Sequence, residues 1–333
     1  MKLENGRNCL AVALAIFAAK VEGEFKVAFV DDFTHGVVKV GIGSPATTYD
    51  LILDTGSANT WVGAEKKFVV TKTSYNTDAA VNVVYPEGSF SGNEYFDTLV
   101  LGGTTLKQQA IGVASRSEGY YDVDGILALG PTALSAGTVS GYPVVPTVLD
   151  NLYASGIIDT AIVTIGNNLI TFGSPLLQIS NLMYAPTSSG FWGFDASLTY
   201  GSTTLLSNPS VVIDYGTPLI GLSTGSYNSF LKLTGAIQDP QTSLPKLDTC
   251  NSLVSLLITF GGQNLYIPPS QYIWPQAQND YIGGDATKCY LGVTDLESRG
   301  SDVVLGYNTL KHFTVVLDKT HSRVGLANLD IEL

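Results

Sequence analysis

Two short segments place an aspartate at the end of an apolar run with a glycine two residues later: Leu51-Ile52-Leu53-Asp54-Thr55-Gly56-Ser57 and Val211-Val212-Ile213-Asp214-Tyr215-Gly216-Thr217. Each run reads as a buried strand that delivers a carboxylate to a tight turn, and Gly56 and Gly216 are expected to allow the turns their backbone angles. If the two turns meet, the carboxylates cannot both ionise cheaply, so they share one proton and titrate in separated steps. The ionised member can then take a proton from water while the protonated member donates to a carbonyl oxygen. Together they would hydrolyse an amide without a metal or a covalent intermediate.

A single Asp-Thr-Gly is weak, because such tripeptides arise by chance in turns; the longer string around it is what carries weight. A second echo follows the first in the same order, Ile126-Leu127-Ala128 after one segment and Val304-Leu305-Gly306 after the other. The aspartates lie about one domain length apart, so two related lobes, each supplying one carboxylate, are expected. Residues 24–178 and 179–333 are assigned to them, with the boundary in the Pro- and Ser-rich stretch 174–189. The elements that must carry the aspartates are short runs of Val, Ile, Leu, Thr and Tyr separated by Gly, Asn, Ser and Pro, which predicts an all-β fold. Helical stretches look few, the best being Pro146–Ser155 and Ser226–Gly235.

Composition narrows the function classes. The chain has 333 residues, of which 45% are hydrophobic, ample for a core in each lobe. With 17 Lys and Arg against 29 Asp and Glu the net charge is −12, and no basic stripe exists to neutralise a phosphate backbone, so nucleic acid is excluded as a partner. The apolar run from Cys9 to Ala19, behind Lys2 and Arg7, is too short for the roughly 20 residues that span a bilayer and fits a signal-peptide core, giving a leader over residues 1–23 and no membrane segment in the mature chain. Cys9 falls inside that leader. Cys250 and Cys289 remain, and an even pair in a secreted chain suggests one disulfide, with two free buried thiols as the alternative. His35, His312 and His321 form no ligand spacing with them, so neither a metal nor another cofactor is expected.

The longer string Asp54-Thr55-Gly56-Ser57-Ala58-Asn59-Thr60-Trp61-Val62-Gly63 resembles the first active-site loop of pepsin-family aspartic proteases, and Gly41-Ile42-Gly43-Ser44-Pro45-Ala46 resembles the strand and turn before it. The resemblance continues through Tyr85–Tyr95, Asp124-Gly125-Ile126-Leu127, Thr171-Phe172-Gly173, the second loop and Phe313–Ala327, and is greatest to the fungal polyporopepsin-like group. It implies a bilobal double β-barrel with a central cleft and a flap hairpin, acting as a monomer on peptide or protein substrates in a secreted or vacuolar setting. It also implies that Asp54 and Asp214 are catalytic, that Ser57 and Thr217 bond them, that Thr55, Gly56 and Gly216 support the pair, and that Tyr85 and Gly88 belong to a flap backed by Trp61. Ordinary aromatic packing is the alternative for Tyr85 and Trp61.

Four positions depart from the family pattern. Tyr215 stands where a small hydroxyl residue bonds across to the partner loop, and the longer phenol predicts a displaced loop and a splayed pair. Pro86 follows Tyr85 where glycine is usual and has no N–H to offer a peptide; Glu87 comes next. Ala128 replaces a glycine and adds a methyl at a tight spot. Too few residues precede Gly36 for the basic inhibitory segment of such zymogens. The sequence therefore supports an acid endopeptidase, with a catalytically impaired protein that binds peptides or proteins in the cleft as the alternative.

Overall fold

Strands dominate the computed structural model, which describes residues 23–174, 181–297 and 301–329. The expected leader falls outside them except for Gly23, and the expected lobe boundary at 178 and 179 falls outside them too. Strand Phe25–Asp31 alternates, with Phe25, Val27 and Phe29 buried and Lys26, Ala28 and Val30 exposed, as a strand with one wet face must. The strands that end at the aspartates do not alternate. Leu51, Ile52, Leu53 and Asp54 are all buried because both faces of that strand are covered.

The two sequence echoes are neighbours in space. Strand Thr47–Asp54 pairs in parallel with Gly125–Ala128, setting Asp54 opposite Ala128, and strand Thr203–Asp214 pairs in parallel with Val303–Gly306, setting Asp214 opposite Gly306. Each aspartate thus leaves its sheet at an equivalent point. A run of six antiparallel strands, Met183–Pro186, Arg323–Asn328, Phe313–Asp318, Ile162–Gly166, Leu169–Phe172 and Phe25–Asp31, weaves the two ends of the chain into one layer. That shared layer fixes how the two halves sit against each other, and so where the aspartates can meet.

Both expected helices form. Helix Val148–Ala154 starts at a capping box, in which Thr147 accepts from the Asp150 amide and Asp150 accepts from the Thr147 amide. Helix Thr224–Thr234 stops at Gly235, whose φ of 73° is the left-handed geometry that ends a helix. Strands Tyr75–Val84 and Ser89–Leu101 form the expected hairpin, closed by the Tyr85 amide donating to the Gly88 carbonyl at 2.7 Å. Pro86 sits in the tip, where the hairpin asks for no N–H from it. Gly88 is required there, since a Cβ would come within 2.2 Å of the Glu118 carbonyl oxygen. Of the two alternatives for the cysteines the bridge is the one formed, with Cys250 and Cys289 Cα atoms 5.7 Å apart.

One residue on the second strand of this hairpin breaks the rule that buried charge is paired. Glu94 is 2% exposed, its Oε2 has no hydrogen-bond partner, and burial pushes its carboxyl up to about 8. Because the folded carboxyl keeps its proton to higher pH than the unfolded one, the native state binds the extra proton between the ordinary glutamate range and about 8. Stability is therefore full in acid and falls as pH rises through that window. Urea unfolding followed from acid to neutral pH should show this loss, and Glu94→Gln, which mimics the protonated acid, should retain on the order of 4 kcal/mol more stability at the upper end than the wild type.

Candidate active site

Asp54 and Asp214 are brought face to face, and the glycines are what permits it. Neither Gly56 nor Gly216 has a positive φ, so the expected need for special backbone angles is corrected. The need is for space. A Cβ on Gly56 would lie 2.6 Å from Asp214 Oδ1, and one on Gly216 would lie 2.5 Å from Asp54 Oδ1. Each carboxylate fills the volume that a side chain on the opposite loop would occupy.

Donors grip both groups in the same pattern. The Gly56 amide donates to Asp54 Oδ1 at 2.6 Å and the Ser57 hydroxyl donates to Oδ2; the Gly216 amide donates to Asp214 Oδ1 at 2.9 Å and the Thr217 hydroxyl to Oδ2 at 2.7 Å. Asp54 is held above the ordinary carboxylate range, first by burial and next by the charge of Asp214, against the pull of Ser57 and Gly56. Such a pair carries one proton over a broad range of pH. Thr55 ties the loops together, donating to the Ile213 carbonyl at 2.8 Å and accepting from the Tyr215 amide at 3.0 Å.

The pair opens into a cleft of about 740 Å³ roofed by the hairpin tip. Tyr85 hangs from that tip over the cleft, and Trp61 stands beside its hydroxyl. Tyr120, which the sequence did not single out, joins them: its ring meets Trp61 edge-on at 5.0 Å and Tyr85 edge-on at 5.8 Å, while Trp61 stacks on Phe90 at 4.4 Å. An aromatic pair after Gly119 in a loop carries no periodic signal, which is why pattern alone passes over Tyr120. The Tyr85 hydroxyl is buried and faces Ser57 and Trp61, although neither reaches it with hydrogen-bond geometry. Among the described residues no group of three or more His, Cys, Asp and Glu could hold a metal ion, and no helix is long and apolar enough to cross a membrane.

The family profile described as eukaryotic aspartyl protease matches residues 37–329, nearly the whole chain. The chain belongs to that family. Polyporopepsin of Irpex lacteus is 42% identical over 316 residues, covering 87% of this chain and 93% of its own length. Pepsin A of Rhinolophus ferrumequinum is 26% identical over 319 residues, covering 86% and 79%. The crystal structure of the aspartic proteinase from Irpex lacteus superimposes with a TM-score of 0.88 at 40% identity, covering 92% of this chain and 97% of that one. This protein is accordingly an aspartic endopeptidase with the pepsin-like fold.

Against the family pattern, the aspartyl protease tolerates Tyr215 by turning it away from the pair. Its side chain is 1% exposed, its hydroxyl donates to the Leu310 carbonyl at 3.4 Å, and its ring meets Tyr307 edge-on at 6.1 Å. The expected splaying is corrected for this reason: the phenol points into the core and leaves only its amide to the loop contact, so the grip between the loops comes from Thr55 alone. Ala128 is likewise accommodated, fully buried in an apolar cluster, whereas a Cβ at its counterpart Gly306 would strike the Leu219 carbonyl oxygen at 2.2 Å. Tyr215→Thr should therefore leave turnover per folded molecule within a few-fold of wild type while costing about 3 kcal/mol of stability, as a large buried side chain is lost. Kinetics on a peptide substrate and urea unfolding of the same preparation separate the two effects; a rise in turnover of tenfold or more would restore the displaced-loop account.

Proposed function

We propose that Asp54 and Asp214 are the catalytic pair of this endopeptidase, and that one chain is the working unit on peptides and proteins in an acidic extracellular or vacuolar setting. The observation that carries the assignment is the reciprocal seating of each carboxylate against the other loop's glycine. In that arrangement the pair holds one proton. Its ionised member accepts a proton from a water as the oxygen attacks the peptide carbonyl, and its protonated member donates to the carbonyl oxygen, so charge is neutralised as it develops. The proton taken from water then passes to the amine as the C–N bond breaks, and the carbonyl oxygen returns its proton to the other carboxylate, which restores the pair with one proton. Ser57 and Thr217 hold the outer oxygens in place through the cycle, and the hairpin with Tyr85 limits the water around the reacting bond.

Both carboxylates come from one chain, which supports a monomer as the active unit. The disulfide supports an oxidising compartment. A charged fraction of 14% and a net charge of −12 suit a protein that stays soluble where many carboxyls are protonated. A denatured protein substrate near pH 3 to 4 should be cleaved and a statine-type inhibitor should stop it. Asp54→Asn and Asp214→Asn should each lower kcat/KM by at least about a thousandfold with the fold retained by circular dichroism. Cleavage that survives either substitution would remove that residue from the pair.

A further inference from the structure

The turn between strands Phe25–Asp31 and Gly36–Ile42 brings one more ionisable side chain to the cleft. Its backbone is closed twice, by the Asp32 amide donating to the His35 carbonyl at 2.9 Å and the Thr34 amide donating to the Asp32 carbonyl at 2.6 Å, with Phe33 at a φ of 62°. The Phe33 ring reaches across to the C-terminal half, edge-on to Trp274 at 5.0 Å and to Tyr281 at 6.2 Å. With that anchor in place the turn cannot swing freely, and His35 is held on the wall beside Gly216 and Thr217, on the Asp214 side of the pair.

Charge makes that position unlike the rest of the wall. Among the described residues that line the cleft His35 is the one basic side chain, against Asp32, Glu87, Asp122 and the two paired aspartates. Its half-buried ring faces the Gly216 carbonyl and the Asp214 carboxyl, Nδ1 lies 3.0 Å from Thr34 Oγ1, Asp32 flanks it on the same turn, and Tyr281, which the Phe33 ring meets, also lines the cleft. The nearby Lys311 ammonium is already engaged by Asp31 at 3.2 Å and lies over the Phe33 ring. Burial lowers the imidazole from its ordinary range, opposed by Asp32, the Gly216 carbonyl and Asp214. When protonated, the ring carries the one positive charge on a cleft wall otherwise lined by carboxyl groups. Asp32 is exposed, so solvent screens it more than the half-buried imidazolium.

We propose that His35 is a specificity-determining residue for the proteolytic reaction: on the Asp214 side of the pair it creates a subsite that favours a glutamate or aspartate side chain of the peptide over its neutral isostere. The proposal rests on Asp54 and Asp214 being the catalytic pair. In a cleft whose other charged walls repel carboxylates, one fixed cation selects a single acidic position without opening the whole cleft to acidic peptides.

The test is a set of otherwise identical peptides in which one residue, glutamate, glutamine or lysine, is moved position by position along either side of the cleaved bond. In the wild type at about pH 5, where the peptide carboxyl is ionised, kcat/KM should favour glutamate by about fivefold at one position. At about pH 3, where that carboxyl is protonated, the ratio should approach unity. His35→Gln should remove the preference at pH 5, His35→Arg should retain it, and His35→Asp should turn it toward lysine; because each readout is a ratio, a general loss of rate cancels. A ratio within about twofold of unity at every position, or one that survives in His35→Gln, overturns the proposal and leaves the catalytic pair untouched. Failure of the wild type to cleave any peptide overturns both.

Discussion

The structure depends on two loops approaching so closely that each carboxylate occupies the place of a side chain on the other. Burying two carboxyl groups side by side costs several kcal/mol unless the charge is halved and the oxygens are satisfied. Both conditions are met locally: a shared proton removes one charge, and an amide and a hydroxyl from the same short loop bond each group. The covered strands, the parallel pairs behind them and the layer that joins the two ends of the chain all serve to hold those loops at that separation.

The two halves are related but not equal, and the inequalities show which contacts matter. Thr55 donates to Ile213 and accepts from the Tyr215 amide, so a single side chain bridges the loops, while Tyr215 contributes its backbone there and spends its ring in the core. Because Thr55 asks only for the backbone amide at 215, the grip survives a change of side chain at that position. Ala128 and Gly306 show the same asymmetry, because only at 306 does a neighbouring carbonyl oxygen stand where a Cβ would go. Burial also explains the acid character at two separate points. The pair and Glu94 both keep protons that an exposed carboxyl would release, so the folded state and its chemistry are suited to the same range of pH.

Around the pair, the walls of the cleft are set by aromatic contacts that cross between elements. Trp61, Tyr120 and Tyr85 place the hairpin tip over the pair, and Phe33 with Trp274 and Tyr281 places the 31–35 turn against the second loop. Rings suit this task because they bury a large area with few rotatable bonds and therefore position a loop at small entropic cost.

By itself the sequence determined the all-β class, the twofold echo and the two aspartates at the ends of their strands, because each is written in a local pattern: short apolar runs between turn residues, or an aspartate at fixed distance from a glycine; the hydroxyls beside them and the hairpin were implied only by the resemblance to pepsin-family proteases. It also identified Cys250 and Cys289 as a pair but left bridge and free thiols open. Tertiary structure alone decided the rest. Whether Gly56 was needed for its angles or for its emptiness depended on Asp214, far away in the chain. Whether Tyr215 would push the loops apart or turn inward depended on the space beside Tyr307 and Leu310. Tyr120, Phe33 and His35 acquire their places only when distant strands are brought together. A local pattern encodes the geometry of its own segment, whereas the fate of a side chain in a loop is set by whatever the fold packs against it.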